Sequence, residues 1–176
     1  MNRLVLAELD VQPQHVVLEV GFGGGGLLAA LLARSRHVVG VDISAAMLRR
    51  AERRFAGALE AGTLRLIHTS AETLPLSDAS VDRIASVSSL YFWPKLDAAF
   101  RELARVMKPG GHLAIAWEPP EELRKWPGHV HGFRLVSEED LRALLDGAGF
   151  EPLRCVEGRG RKPDRFLCLT ARRCVR

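Results

Sequence analysis

Short runs of apolar, often β-branched residues alternate along the chain with longer segments whose apolar positions repeat every three or four residues. The periodic segments are typical of helices: Leu48, Ala51 and Phe55 share one helical face, as do Phe100 and Leu103. The short runs predict buried parallel strands at Val16–Val20, Val38–Val41, Leu64–Ile67, Val81–Val87 and Leu113–Trp117. This order predicts an α/β fold, an open and mostly parallel sheet with helices on both faces.

Residues that begin and end helices support these segments. Ser44 stands where an N-cap would begin the second helix, and Lys108–Gly111 would end the helix that contains Leu96 and turn the chain into the next strand. Ser137 to Asp140 form a capping box that predicts a further helix, ending at Gly149.

The last part of the chain carries two more strand-like runs, Phe150–Val156 and Phe166–Thr170. The segment between them contains two glycines and a proline, which favours a hairpin. We therefore expect an antiparallel hairpin at the edge of the parallel sheet.

Composition narrows the class of protein. The chain has 176 residues and 47% apolar content, enough for one domain with a real core. Its formal charge of +4 permits an anionic partner without requiring one. No apolar run is long enough to cross a membrane, and Glu8 interrupts the segment where a signal peptide would continue, so a cytoplasmic protein is expected.

The cysteines and histidines give no metal-ligand spacing. Cys155, Cys168 and Cys174 form no C-x-x-C pair, and three reduced thiols are expected. Cys155 and Cys168 lie on the two arms of the predicted hairpin, so a disulfide is the alternative if the strand register is symmetric. His129 and His131 lie in a predicted loop and are not expected to hold a metal ion.

The segment Glu19–Gly26, "EVGFGGGG", has five glycines in its last six positions. Gly21, Gly23 and Gly26 satisfy G-x-G-x-x-G between a predicted strand and a predicted helix, and Asp42 ends the second strand. Such glycines let a ligand approach the backbone, and an acid at that place accepts ribose hydroxyl protons. We interpret the loop as a nucleoside-binding site; the alternative is a flexible turn beside a surface aspartate.

NAD and S-adenosylmethionine both fit this pattern. Glu19 favours the second, because a carboxylate before Gly21 suits a cationic amino group and would repel a pyrophosphate. Two further segments distinguish the ligands: Ser70–Asp82 between the third and fourth strands, and Arg105–Leu113 before the fifth.

With these segments the chain resembles the class I S-adenosylmethionine-dependent methyltransferases, in particular the small-molecule branch that includes ubiquinone/menaquinone-type enzymes. The motifs that carry the resemblance are "VLEVGFGGGGLL", "VVGVDIS", "SAETLPLSDASVD" and "ELARVMKPGGHL", and together they span Val16 to about Trp117. The resemblance implies one domain over residues 1–176 and a Rossmann-like seven-stranded sheet, mostly parallel with one antiparallel strand. The cofactor would lie over the carboxyl ends of the strands.

The resemblance also implies a role for individual residues. Glu19 and the backbone of the glycine loop would face the methionine part of the cofactor, Asp42 the ribose and Ile43 the adenine. Ala71 would offer its N–H to the adenine ring, and Ser88 would lie near the transferable methyl group. The predicted cofactor-binding residues are Glu19, Gly21, Phe22, Gly23, Asp42, Ile43, Ala71, Glu72 and Ser88.

The chain departs from the family pattern at two places. Ser70 stands where many members have an aspartate that accepts from the adenine amino group. The helices that usually precede the first strand as a substrate lid are expected to be largely missing, since only fifteen residues precede Val16.

The implied activity is methyl transfer to a small molecule by in-line displacement, driven mainly by proximity and orientation. No catalytic residue is identified. Tyr91, Trp117 and His129 are predicted to face the acceptor, and further candidates are Phe92, Trp93, Glu118, Trp126, His131 and Arg134. The alternatives are that Phe92 and Trp93 attach the next helix to the sheet and that His129 is a solvated loop residue.

Two other function classes stay open: a non-catalytic S-adenosylmethionine-binding regulatory or interaction protein, and an NAD-dependent reductase. Nucleic acid is not expected as a partner. The residues after the fourth strand, Ser88–Tyr91, lack the Asn/Asp-Pro-Pro-aromatic motif, and no aromatic residue is interleaved with the basic clusters at Arg49–Arg54 and Arg159–Arg165 that could stack on bases. A monomer or homodimer is expected.

Overall fold

The fold is described from a computed structural model, which covers residues 1–127, 132–160 and 164–175. The strands are β1 Val16–Val20, β2 His37–Asp42, β3 Leu64–His68, β4 Val81–Val87, β5 Met107–Trp117, β6 Phe150–Arg159 and β7 Arg165–Arg173. The helices are α1 Asn2–Leu9, α2 Gly26–Leu32, α3 Ala45–Arg54, α4 Ala56–Glu60, α5 Leu96–Val106, α6 Pro120–Leu123 and α7 Glu138–Gly147, with a short 3₁₀ helix at Leu90–Phe92.

All seven strands belong to one sheet, in the order β3-β2-β1-β4-β5-β7-β6. Strands β1 to β5 are parallel, while β7 lies antiparallel to both β5 and β6. The predicted Rossmann-like, seven-stranded sheet with one antiparallel strand is therefore confirmed. Because β1 lies between β2 and β4, the strand order changes direction beside it, and ligands of such sheets bind at that switch point.

The two faces of the sheet bury different sets of side chains. In β1, Leu18 and Val20 belong to one core cluster and Val17 to the other, as the two-residue period of a strand requires. The first cluster packs beneath α5 and α7, for example through Phe100 and Leu141. The second packs beneath α1 to α4, which confirms helices on both faces.

Helix α1 was not predicted, and it is part of the core. Its residues Val5 and Leu9 are fully buried against β4 and β5. The strands beneath it present small side chains, Ala85, Ala114 and Ala116, which leave room for a helix to lie close to the sheet. The eight-residue segment has too few periodic positions to identify it as a helix from the sequence.

Most predicted boundaries are confirmed. Ser44 accepts a hydrogen bond from the Met47 amide, and Ser137 and Asp140 form the expected capping box. The segment Lys108–Gly111 differs from the prediction: α5 already ends at Val106, and these residues lie within β5 at a shift in its register with β4. Among the described residues, no helix is long and apolar enough to cross a membrane.

The register of the hairpin separates Cys155 from Cys168. Cys155 pairs with Leu169, and Val156 pairs with Cys168. The two thiols therefore point to opposite faces of the sheet, so a disulfide between them is geometrically excluded. Burial raises the pKa of both thiols to about 12.

We expect all three thiols to react with a thiol reagent in denatured, unreduced protein. In the native protein at pH 8, Cys155 and Cys168 should react slowly, because a thiol with a raised pKa forms little thiolate at this pH. Cys174 should supply the fast phase, and Cys174→Ser should remove that phase alone. A single titratable thiol in the denatured chain would contradict the expectation.

Candidate functional site

The loops that follow β1, β2, β3 and β4 converge at the switch point and enclose a cavity of about 530 Å³. We call it the glycine-loop cavity. Its wall contains Glu19, the glycine loop from Gly21 to Gly26, Asp42, Ile43 and Ser88. Its volume lies within the range of about 300–1,000 Å³ that ligand pockets usually have.

The glycines of this loop are needed for two physical reasons. Gly21, Gly23 and Gly25 adopt positive φ angles of 73°, 47° and 71°, which side chains disfavour. A Cβ on Gly21 would also lie 2.4 Å from the Cβ of Ser89. The loop is held from outside by Arg54, whose Nη1 donates to the Gly24 carbonyl at 2.7 Å.

Asp42 connects the glycine loop to the start of α3. Its Oδ2 accepts the Gly23 amide and its Oδ1 accepts the Ser44 amide, both at 2.8 Å. The side chain is nearly buried, yet it lines the cavity. Because each carboxylate oxygen can accept a second hydrogen bond, Asp42 can hold the loop and still bind two hydroxyl groups of a ligand.

Glu19 is the most unusual group in the cavity wall. The residue is only 2% exposed, and within the described residues its Oε2 is a buried oxygen with no hydrogen-bond partner. Burial raises the pKa of Glu19 well above its ordinary value, and the nearby charge of Asp42 raises it further. A buried carboxyl group without a partner is costly, so this arrangement suits a ligand that supplies a cationic donor.

The opposite wall presents apolar surface to a flat ligand. Ile43 is 60% exposed although it is a large aliphatic residue, and Ala71 forms a buried wall beside it. Glu72 also lines the cavity, and its Oε1 accepts the Lys95 amide at 3.0 Å. Ser70 lines the same wall.

Two residues of α5 fix the loop that carries this wall. Glu102 accepts the Leu74 amide at 2.7 Å, while Arg105 donates to the carbonyls of Leu74 and Leu76, each at 2.9 Å. Glu102 and Arg105 also pair with each other. The sequence motif around Arg105 therefore acts on the site through the loop between β3 and β4.

Phe22 has a different environment from the other predicted residues. It lines the cavity, but it is almost fully buried and belongs to the core cluster beneath α1 to α4. A Cβ on Gly40 of β2 would lie 3.0 Å from the ring, so Phe22 packs closely on that strand. Phe22 therefore has a role in the core in addition to its predicted contact with the ligand.

Ser88 stands between the glycine-loop cavity and a second cavity. It follows β4 directly, with a positive φ of 48°, and it lines both cavities. Its Oγ contacts the Met1 sulfur at 3.3 Å and donates to Oε1 of Glu118 at 3.1 Å. An unfavourable backbone conformation at such a place is typical of functional sites.

The second cavity has a volume of about 750 Å³, and we call it the aromatic cavity. Its walls include Tyr91, Phe92, Trp126 and Phe133. Phe133 is in contact with the other three rings, with centroid distances of 6.1 Å to Tyr91, 4.8 Å to Phe92 and 5.1 Å to Trp126. Phe92 also lines the glycine-loop cavity, so the two cavities adjoin.

The predicted acceptor-side residues have different outcomes. Tyr91 lines the aromatic cavity, where its hydroxyl donates to Glu118. Trp117 lines neither cavity: it is fully buried, and its Nε1 donates to the Val136 carbonyl at 3.0 Å. The prediction that Trp117 faces the acceptor is therefore wrong. Trp117 belongs to the core, because its side chain lies on the face of the sheet that packs beneath α5 and α7. His129 lies outside the described residues.

The aromatic residues after β4 also differ from each other. The ring of Trp93 packs on the ring of Phe100 in α5, with a centroid distance of 5.7 Å, which agrees with the alternative that Trp93 attaches this helix to the sheet. Trp93 also lines the glycine-loop cavity. Phe92 is 55% exposed at the junction of the two cavities. Arg134 donates to the Pro94 carbonyl and lines neither cavity.

Sequence reasoning missed several residues of the site. Ser89 lies beneath Gly21 and donates to the Val20 carbonyl, Asn2 lines the glycine-loop cavity, and Phe133 connects the aromatic rings. None has a sequence signal, because each is brought to the site by contacts that are distant along the chain. In the described part of the chain, no group of three His, Cys, Asp or Glu side chains is arranged to hold a metal ion.

Comparisons with known proteins agree with this geometry. The model of the methyltransferase domain family matches residues 18–115. The uncharacterized methyltransferase YdaC of Bacillus subtilis is 31% identical over 175 residues, which cover 98% of this chain and 91% of that protein. An O-methyltransferase of Pyrenophora dematioidea is 29% identical over 89% of this chain, which spans 62% of that protein.

Solved structures extend the similarity to the whole fold. A crystal structure of an S-adenosylmethionine-dependent methyltransferase from Aquifex aeolicus has a TM-score of 0.81 and 25% identity, covering 97% of this chain and 88% of its own. The glycine loop and Asp42, the acid that ends β2, both lie within residues 18–115, the part of the chain that the family model matches. The chain belongs to the methyltransferase domain family and is a class I S-adenosylmethionine-dependent methyltransferase.

Proposed function

We propose that this protein transfers a methyl group from S-adenosylmethionine, bound in the glycine-loop cavity, to a small molecule bound in the aromatic cavity. The observation that carries the proposal is the meeting of the two cavities at Ser88 and Phe92. A donor and an acceptor that enter from the two sides would face each other there. We also propose that residues 1–176 form one domain, that the protein is cytoplasmic, and that it belongs to the ubiquinone/menaquinone-type branch of the family.

The residues present fit the cofactor. Glu19 offers an unpaired, buried carboxyl oxygen to a cationic amino group, and Asp42 has free acceptor positions for two ribose hydroxyls. Ile43 and Ala71 offer apolar surface to the adenine ring. When bound, this cofactor supplies a methyl group on a positively charged sulfur.

The acceptor side suits a molecule with a flat, apolar body. Four aromatic side chains line the aromatic cavity, and rings bury much area against such a body. O-methyltransferases of Pyrenophora dematioidea and Aspergillus nomiae are among the relatives, both 29% identical, and they support a small-molecule acceptor.

The chain would accelerate the reaction mainly by position. Holding two reactants in line can contribute up to about 7–11 kcal/mol. Ser88 and Phe92 would define the point where the reacting atoms meet, and the apolar rings would exclude water from it. No general base is required for this proposal.

The proposal is tested first by calorimetry with S-adenosylmethionine, its demethylated product S-adenosylhomocysteine, and NAD. We expect the first two to bind and NAD to give no heat. Incubation with labelled S-adenosylmethionine and a panel of aromatic alcohols, phenols and amines should then yield a labelled methylated product. Tight binding of NAD alone would refute the cofactor, and cofactor binding without product from any acceptor would favour the regulatory alternative.

Asp42→Asn should weaken S-adenosylhomocysteine binding by about 2–4 kcal/mol. The amide replaces a charged acceptor of the ribose hydroxyls, and its NH₂ group cannot accept from both Gly23 and Ser44. Calorimetry measures the affinity, and circular dichroism checks that the fold is kept. Asp146→Asn, an exposed change on α7, is the matched control; equal affinities for both variants would show that Asp42 does not bind the ligand.

Glu19→Gln should stabilise the protein without ligand while weakening S-adenosylhomocysteine binding by about 1.5–3 kcal/mol. The pKa of Glu19 is higher in the folded protein than in the unfolded chain. As the pH rises above the ordinary pKa of a glutamate, Glu19 therefore loses its proton in the unfolded chain before it does so in the folded protein. Native stability is therefore lost with rising pH, and Gln removes that loss.

Urea denaturation at pH 4 and pH 7 measures this effect. The variant should be more stable than the original protein at pH 7 and nearly equal to it at pH 4. Glu60→Gln, an exposed change on α4, should alter neither stability nor affinity. A Glu19→Gln protein that is less stable at pH 7 would show that the buried acid has a structural partner.

A further inference from the structure

Glu118 lies directly after β5, lines the aromatic cavity and is hydrogen-bonded to Ser88, which lines both cavities. Its Oε1 accepts from Ser88 and its Oε2 accepts from Tyr91. Both partners are neutral hydroxyl groups, so they orient the carboxylate without cancelling its charge. Among the described residues, no lysine, arginine or histidine forms an ion pair with it.

Tyr91 holds this carboxylate in one position. Burial raises the pKa of Tyr91, and the charge of Glu118 raises it further, so the phenol keeps its proton and donates. The Glu118 amide in turn donates to the Tyr91 oxygen. The result is a carboxylate held in a fixed position beside Ser88, where the two cavities adjoin.

The other charges of the aromatic cavity do not neutralise Glu118. Lys125 is the one basic side chain among the described lining residues, and it pairs with Glu122 at 2.5 Å. Asp164 adds a further acid to the wall. The amino group of Met1 feels the charge of Glu118, but burial lowers its pKa and thereby reduces its positive charge.

The aromatic rings complete a surface that attracts cations. Phe92, Trp126 and Phe133 line the same cavity as Glu118, and the faces of aromatic rings bind ammonium groups. A carboxylate combined with such rings favours a cationic nitrogen over a neutral hydroxyl group and opposes an anionic acceptor.

We propose that the acceptor is an amine with an apolar or aromatic body and that Glu118 determines this specificity by holding the nitrogen. The inference rests on the proposed methyl transfer and names its substrate class. The amine binds as an ammonium ion and first loses a proton to water. The neutral amine then forms the new nitrogen–carbon bond with its lone pair, while the sulfur–carbon bond breaks and leaves its electron pair on sulfur. The positive charge moves from sulfur to nitrogen, and the ammonium product of a primary or secondary amine then releases a proton to water.

The position of Glu118 suits this movement of charge. A preoriented carboxylate on the acceptor side stabilises a transition state in which positive charge grows on nitrogen. Glu118 takes no proton in this scheme and forms no covalent bond. It is a residue for binding and charge stabilisation.

The test measures binding, so it does not depend on turnover. The protein is saturated with S-adenosylhomocysteine at pH 7, and calorimetry compares 2-phenylethylamine, 2-phenylethanol and 3-phenylpropanoate. We expect the amine to bind at least tenfold more tightly than the alcohol, a difference of about 1.4 kcal/mol, and the acid to bind most weakly. Equal binding of amine and alcohol, or no binding of the amine, would overturn the inference.

Variants assign the preference to Glu118. Glu118→Gln should weaken amine binding at least tenfold and leave alcohol binding within threefold. Glu121→Gln is the matched control: it removes the same charge nearby, but Glu121 pairs with Arg165 and does not line the cavity, so amine binding should be unchanged. Equal losses for all probes, or equal effects of the two variants, would contradict the assignment.

Two readouts separate the possible failures. S-adenosylhomocysteine affinity reports on the proposed function by itself, so its absence would refute methyl transfer from this cofactor. Retained affinity without amine preference would refute only the acceptor class. If Glu118→Gln does not fold, Tyr91→Phe decides, because loss of the orienting hydroxyl should also weaken amine binding relative to alcohol binding.

Discussion

The two hydrogen bonds that Asp42 accepts from the amides of Gly23 and Ser44 connect the glycine loop, the end of β2 and the start of α3. One joins the loop after β1 to the end of β2, and the other fixes the start of α3. Because α3 also supplies Arg54 to the Gly24 carbonyl, the glycine loop is held from two sides. The same carboxylate is predicted to bind the ligand, so the shape of the loop and ligand affinity depend on one side chain.

The site contains acids that the folded chain does not neutralise. Glu19 is buried without a partner for one oxygen, and Glu118 is oriented only by hydroxyl groups among the described residues. The first arrangement costs stability in the protein without ligands, since a buried carboxyl group loses hydration. We interpret both as sites that a cationic ligand completes. Glu19 lines the glycine-loop cavity and Glu118 lines the aromatic cavity, and Ser88 lines both.

Residues that precede β1 contribute to the core of the fold. Helix α1 packs across small side chains of β4 and β5, so the first residues of the chain contribute to the core and reach the cavity wall at Asn2. The aromatic cavity is bordered by residues of α6, by Lys125–Pro127 and by Phe133. Under the proposed function, the residues that select the acceptor would lie in segments that follow β4 and β5.

The sequence alone determined the parallel sheet, its antiparallel strand, the glycine loop and the acid at the end of β2, because these depend on local periodicity and on glycine chemistry. The resemblance added the cofactor. Tertiary structure decided the rest. Trp117 is the last residue of β5 and was predicted to face the acceptor, but its side chain lies on the face of the sheet that packs beneath α5 and α7. Phe133 and Glu118 meet Tyr91 only because distant segments converge at the carboxyl end of the sheet, and such contacts leave no periodic signal in the chain.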